Sequence, residues 1–287
     1  MSKLRHNKPS SKRAIQLVKT TGERASFSLE KLKKSLRNSG ADDELIKEVT
    51  NKVQAELYDG ITTKEIYNRA FALLKRQKPV LASRYKLKKA IYELGPSGFP
   101  FEKFIDAILR FSGYTAETNV IVKGRCVAHE VDVVASKDNV QLLIECKFHS
   151  DPARYCDVKI PLYIKSRFDD IHANEYTANN HQKGWVVTNT RFTKDALAYG
   201  KCVGLYLLSW DHPKGDSLKE RIDRLGLYPI TVSTVLTQYE KDFLLSRDIV
   251  LCRQLVEDTF FMDHLGIGEE RQQKIFKEIK ALCADNQ

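Results

Sequence analysis

Two β-rich runs, residues 130–135 and 140–148, flank the polar stretch Ser136-Lys137-Asp138-Asn139, and this pattern constrains the fold more than any other part of the chain. Alternating apolar and polar residues on either side of a turn-forming link read as a β-hairpin. With Asp138 and Asn139 at the centre of a two-residue turn, Asp132 falls opposite Glu145 and Glu130 opposite Lys147. Val131, Val133, Ile144, Cys146 and Phe148 then form an apolar stripe, which locks the register because a slip of one residue would turn the stripe to solvent. The other face gathers Glu130, Asp132, Glu145 and Lys147. Carboxylates facing each other across a ladder have Cβ atoms roughly 5 Å apart and repel unless neutralised. A hard cation does this: Mg²⁺, or Mn²⁺ in its place, is held by one or two carboxylates, water and a substrate phosphate. Lys147 on the same face can orient an attacking water or stabilise charge on a phosphorane. The bland alternative is a solvated strand face with a Glu130–Lys147 surface pair, and the apolar residues interleaved with the motif argue against it.

The chain has 287 residues, room for two or three domains, and its 42% hydrophobic content suits a globular protein with a proper core. Residues 1–13 are basic and polar without an apolar run, and no later stretch approaches the ~18 apolar residues of a membrane span. The expectation is a cytoplasmic protein with no membrane partner. Six cysteines lie scattered, without CxxC pairs or zinc-site spacing, and read as reduced packing residues. The net charge of +10 points to a polyanionic partner, DNA or nucleotide, but its distribution is uneven. Residues 1–96 carry 22 Lys/Arg against 10 Asp/Glu, residues 97–212 carry 14 of each, and residues 213–287 carry 11 against 13.

In the basic N-terminal part, residues 15–19 form a strand, Thr20 to Glu23 a turn, and residues 24–27 pair back. Four helices follow, starting behind Ser28, at Asp42, at Thr62 or Thr63, and at Pro79. This hairpin followed by helices resembles the ATP-cone, the nucleotide-sensing module of ribonucleotide reductases and of their repressor. The residues that carry the resemblance are Leu17-Val18-Lys19-Thr20-Thr21-Gly22, Lys31, and Tyr58-Asp59-Gly60-Ile61-Thr62-Thr63. The resemblance implies nucleotide contacts at Lys19, Lys31 and Thr63, with ATP or dATP as effector. Where the family has an arginine this chain has Thr20, which removes one phosphate fork. No GxxxxGK[ST] motif occurs, so a nucleotide would be an effector rather than fuel.

Breakers at Gly95-Pro96-Ser97-Gly98-Phe99-Pro100 open the next part. A helix over 101–111 turns Phe101, Phe104, Ile105, Ile108 and Phe111 inward, with Glu102 and Asp106 on its flank. Strands at 119–123, 130–135 and 140–148, a helix near 161–171 and a strand at 185–189 make an αβββαβ order. A helix capped by Thr193 and a strand at 205–210 follow. Phe-Glu-x-Phe, Glu-x-Asp-Val-Val-Ala, Leu-Ile-Glu-Cys-Lys-Phe and Val-Val-Thr-Asn-Thr-Arg-Phe-Thr-Lys-Asp-Ala stand in that order and resemble the Mrr-type restriction endonucleases of the PD-(D/E)xK superfamily. The resemblance implies a catalytic set of Asp132, Glu145 and Lys147, with Asp132, Glu145 and Glu102 as ligands of Mg²⁺ or Mn²⁺. The glutamine that the family often carries after the lysine is absent, which leaves Asp157 or Lys159 for its place, or as a cap or surface charge. His129 and His149 point away from the site by the hairpin register.

Beyond Asp216 the chain reads as a helix, a turn at 225–230 and three amphipathic helices to Cys283, with Leu265-Gly266-Ile267-Gly268 faintly like a helix-hairpin-helix. The expected organisation is α/β: a basic tail (1–14), a small α+β ATP-cone-like domain (15–94), a restriction-endonuclease-like core (95–212) and a helical C-terminal domain (213–287). The implied activity is metal-dependent hydrolysis of DNA phosphodiesters, tuned by ATP or dATP, in a homo-oligomer. The alternatives are a nucleotide-responsive DNA-binding regulator on a nuclease scaffold, or a nuclease for branched DNA or RNA.

Overall fold

The computed structural model describes residues 15–19, 22–174, 182–257 and 260–284. The basic tail and Thr20 lie outside them. The chain divides into two units, residues 1–85 and 86–287.

In the first unit β1 (Gln16–Val18) and β2 (Arg24–Ser26) pair antiparallel, followed by α1 (Leu29–Asn38), α2 (Asp43–Ala55), α3 (Thr63–Gln77) and α4 (Pro79–Tyr92), the last of which runs across the division. Side chains satisfy the first turns of the helices: Ser28 Oγ accepts from Lys31 N at 3.3 Å and Asp42 Oδ1 from Leu45 N at 2.8 Å. Thr62 and Glu65 form a reciprocal capping box on α3. Residues 58–62 run beside β1, with Val18 N donating to Ile61 O at 3.0 Å and Gly60 N to Gln16 O at 2.8 Å. Gly60 holds φ +89°, a conformation that a Cβ would strain. Leu36, Val49, Val53, Ile61 and Leu74 form a solvent-free core.

The second unit begins with the end of α4 and continues through α5 (Phe99–Phe111), β3 (Thr115–Lys123), β4 (Ala128–Lys137), β5 (Val140–Lys147), β6 (Tyr155–Cys156), α6 (Lys159–His172), β7 (Gln182–Thr188), β8 (Arg191–Phe192), α7 (Lys194–Cys202) and β9 (Tyr206–Leu208). The main sheet has the order β3-β4-β5-β7-β9, antiparallel from β3 to β5 and parallel from β5 to β9. The α/β architecture expected from the sequence is thus present. Asp138 (φ +48°) and Asn139 (φ +59°) are both left-handed, as a type I′ hairpin turn requires. Leu143 and Val186 pack against Ile164 and Phe168 of α6, while α5 contributes buried Phe101, Phe104, Ile105 and Ile108. Asp106, expected on the flank of α5, is instead buried and ion-paired with Arg110 at 2.9 Å.

The C-terminal part comprises α8 (Leu218–Leu225), a 3₁₀ turn at Ile230–Val232, α9 (Gln238–Leu245), α10 (Cys252–Glu257), α11 (Phe260–His264) and α12 (Glu269–Cys283). The helix-hairpin-helix-like residues lie after α11, which has only five residues. Buried Glu278 ties α12 to the 3₁₀ turn, accepting from Ser233 Oγ at 2.5 Å and from Thr234 N at 2.8 Å. Cys146, Cys156 and Cys252 are buried packing residues, whereas Cys126 and Cys202 are exposed. Among the described residues no helix is long and apolar enough to cross a membrane.

Gly184 of β7 lets α6 approach the sheet: a Cβ there would stand 2.4 Å from Phe168 Cδ2 and 2.8 Å from Leu205 Cδ2. Both neighbours are buried, so neither can swing clear. Gly184→Ala should therefore destabilise the protein by about 1–3 kcal/mol, the usual cost of overpacking, read as a lower midpoint in urea unfolding. An unchanged midpoint would contradict this account of the α6–sheet packing.

Candidate active site

The β4–β5 ladder runs from Lys137↔Val140 to Val133↔Ile144, in the register expected from the sequence, and stops one pair short of Asp132 and Glu145. The cause is local. Asp132 Oδ2 accepts the Cys146 N–H at 2.6 Å, the amide that continued pairing with Val131 would use. On its other side β4 pairs with β3 at Thr118↔Val133 and Val120↔Val131, but Asn119, opposite Asp132, is left-handed at φ +57°. Asp132 therefore sits where β4 parts from β5 and where its pairing with β3 skips one residue.

Glu145, opposite Val186 in the β5–β7 ladder, is 3% exposed and clasped by two cations. Lys147 Nζ donates to Oε1 at 2.5 Å rather than pairing with Glu130 as the bland alternative had it, and Arg167 of α6 donates to Oε2. Arg167 also reaches Glu130 O at 3.0 Å and Tyr163 Oη at 3.1 Å, with its guanidinium 5.1 Å from the Tyr163 ring centre. Sequence reasoning missed Arg167. The signal was its place at i+3 from Ile164 and i−4 from Ile171, an arginine on the inward face of an amphipathic helix.

The peptide beyond Lys147 is held by the end of β7 and the residue after it. Thr188 Oγ1 donates to Lys147 O at 2.7 Å, and Asn189 both accepts from His149 N and donates to His149 O, each at 2.8 Å. Thr188 and Asn189 are fully buried polar residues following an apolar strand, a combination that demands such partners. Neither histidine faces the carboxylates. His129 Nε2 donates to Asp170 Oδ2 at 2.7 Å, a carboxylate that also accepts from the amides of Cys126 and Val127 at 2.8 and 3.3 Å. His149 Nε2 contacts Cys156 Sγ at 3.2 Å. Asp157, just before the α6 N-cap Val158, accepts from Lys159 N at 3.0 Å.

Burial, then the charges of Asp132, Glu145 and Glu130, push the Glu102 carboxyl up to about 7. Asp132 is pushed up to about 6 by burial and then by Glu145. Burial works against the Lys147 ammonium, but its hydrogen bond and attraction to Glu145 prevail, so its pKa is raised. Among the described residues no three His, Cys, Asp or Glu side chains form a group that could hold a metal ion, Asp132, Glu145 and Glu102 included. The donor set nonetheless fits Mg²⁺, which needs only one or two carboxylates and keeps its waters. Three carboxyl groups oppose one another here, and the two whose pKa values are raised carry negative charge that a divalent cation would relieve.

In the first unit, Lys19, Lys31 and Thr63 line one cavity of about 350 Å³, together with Phe27, Tyr67 and Tyr85. Lys19 sits at the end of β1, Lys31 in the first turn of α1 and Thr63 at the first position of α3. Tyr67 and Tyr85 stack with centroids 5.1 Å apart. Lys19 Nζ is paired with Glu23 at 2.8 Å, an exposed and readily exchanged contact.

Three family models match the chain: ATP cone domain over residues 15–93, Restriction endonuclease over 95–212, and AF1548-like, C-terminal over 228–283. An uncharacterized protein of Archaeoglobus fulgidus is 33% identical over 174 residues, which are 60% of this chain and 96% of that protein. The solved structure described as Crystal Structure of Protein of Unknown Function AF1548 aligns with a TM-score of 0.53 and 30% identity, over 65% of this chain and 98% of that one. MspJI Restriction Endonuclease in Complex with 27-mer Oligonucleotide aligns at a TM-score of 0.35 and 14% identity, over 59% of this chain and 36% of that one, too weakly to carry an argument.

The raised Asp132 and Glu102 values make stability depend on pH in a definite direction. An unfolded Asp titrates near 3.9, so between about 4 and 6 the folded state binds more protons than the unfolded one, and stability falls as pH rises. Asp132→Asn removes that penalty. In EDTA, the Tm of Asp132→Asn minus that of the wild type should grow as pH goes from 5 to 7.5. A difference that stays flat or shrinks contradicts the electrostatics described.

Proposed function

Since the chain belongs to the AF1548-like family and carries a restriction endonuclease domain beside an ATP cone domain, we propose that it is a metal-dependent DNA endonuclease regulated by ATP or dATP. The observation that carries the reading is the meeting of Asp132, Glu145 and Lys147 where β4 and β5 part, inside the matched domain. Asp132 and Glu145 would hold Mg²⁺ or Mn²⁺, with Glu102 as a further ligand. When bound, the metal supplies charge against the attacked phosphate and acidifies its water. Lys147 spends one N–H on Glu145 and keeps its others for the attacking water or the scissile phosphate. The hydrogen bonds of Thr188 and Asn189 fix the backbone around it, so that ammonium is aimed rather than free. Cutting both strands of a duplex calls for two such sites, which makes a homo-oligomer acting on cytoplasmic DNA the expected working form.

In the cone, two ammonium groups suit a polyphosphate, and the α3 N-terminus with its Thr63 hydroxyl offers further donors. The Tyr67–Tyr85 stack gives the cavity a flat apolar wall for a base.

Purified protein should nick supercoiled plasmid with Mg²⁺ or Mn²⁺ and not in EDTA. Lys147→Ala should lower the rate by about a hundredfold or more while leaving the circular-dichroism spectrum unchanged; a variant that cuts like the wild type sinks the assignment. In isothermal titration with ATP and dATP, Lys19→Ala should weaken binding by about tenfold, the scale of a lost charge-assisted contact. Identical heats in variant and wild type remove the nucleotide from the proposal.

A further inference from the structure

Where the β4–β5 ladder ends, no backbone pairing joins Glu130 to the end of β5. Arg167 spans that opening. One guanidinium nitrogen meets both Glu130 O of β4 and Glu145 Oε2 of β5, and the other donates to Tyr163 Oη. The Arg167 side chain is 15% exposed and that of Glu145 3%. Each carboxylate oxygen keeps lone pairs beyond the one that Arg167 or Lys147 uses, so a cation can join Glu145 without expelling either.

Charge gives the second half of the argument. Setting aside exposed Glu130, the ionised site holds the carboxylates of Asp132, Glu145 and Glu102 against the cations of Lys147 and Arg167. A divalent cation turns this net −1 into +1, and one phosphodiester brings it to zero. Without Arg167 the loaded site would be neutral before substrate arrived and would attract a phosphate less.

From this geometry we infer that Arg167 is the positioning residue of the site: its guanidinium orients the Glu145 carboxylate through Oε2, and its charge limits how tightly the divalent cation is held. The inference rests on the nuclease reading above. Lysine cannot reproduce it fully, since a point charge lacks the planar fork that meets Glu145, Glu130 and Tyr163 at once.

The test uses the full chain, with Mn²⁺ binding measured by titration without DNA, unfolding in EDTA, and single-turnover plasmid nicking. Arg167→Met should bind Mn²⁺ roughly tenfold more tightly, because a nearby like charge is gone, and yet nick about a hundredfold more slowly, because Glu145 is no longer aimed. Arg167→Lys should bind Mn²⁺ as the wild type does and still nick at least about tenfold more slowly. A merely structural arginine would lower the unfolding midpoint and leave Mn²⁺ affinity and nicking by the folded fraction unchanged; that result overturns the inference. If Arg167→Met does not fold, Arg167→Lys decides, and wild-type nicking by it overturns the inference. Wild-type protein that neither takes up Mn²⁺ nor nicks overturns the nuclease reading itself, and Arg167's role with it.

Discussion

The hydrogen bond from the Cys146 amide to the Asp132 carboxylate is the contact on which the rest of the site depends. A strand that used that amide for its neighbour's carbonyl would keep β4 and β5 zipped to their ends, with their side chains on a flat ladder. Giving the amide to a side chain ends the sheet early and opens a notch between the strands. On the β3 side the left-handed Asn119 interrupts the ladder for one pair, which resumes at Val120↔Val131. The carboxylates thereby meet where two inner strands of the sheet separate rather than along a continuous ladder.

Opening the notch leaves Glu145 almost without water, and a carboxylate so placed demands partners. It receives cations from two different elements, one from its own strand and one from α6. Such buried pairs are poor evidence of stability, because desolvation offsets most of their attraction. Their use here is geometric. They hold one carboxylate in a single orientation, while Asp132 and Glu102 remain strained by like charge, the condition under which a site favours a cation.

Much of this was legible in the chain. The Asp138-Asn139 turn fixes the hairpin register, because two left-handed residues admit only a narrow choice of loop, and Ser28, Asp42, Thr62 and Thr193 mark helix starts because their side chains bond the first-turn amides. Strand pairing by alternation could not foresee that Asp132 would take a backbone donor, since a side chain competing for a ladder amide leaves no trace in hydropathy. Arg167 was hidden for another reason. Its partner lies 22 residues away on another element, and in a helix already carrying Lys165 and Asp169 a further charge looks solvated. Lys19, Lys31 and Thr63 come from three separate elements and line one cavity, the segment at 58–62 running beside β1 bringing the start of α3 next to Lys19.

Helix α6 meets β4 at two successive turns: Arg167 on Glu130 and, three residues later, Asp170 on His129 and on the amides at the tip of the β3–β4 hairpin. Two fastenings a turn apart remove the freedom to pivot that one would leave. The hairpin tip, the helix and the first half of β4, which leads to Asp132, are therefore bound together. Residues 126 and 127 are thereby joined through Asp170 to the helix whose Arg167 grips Glu145.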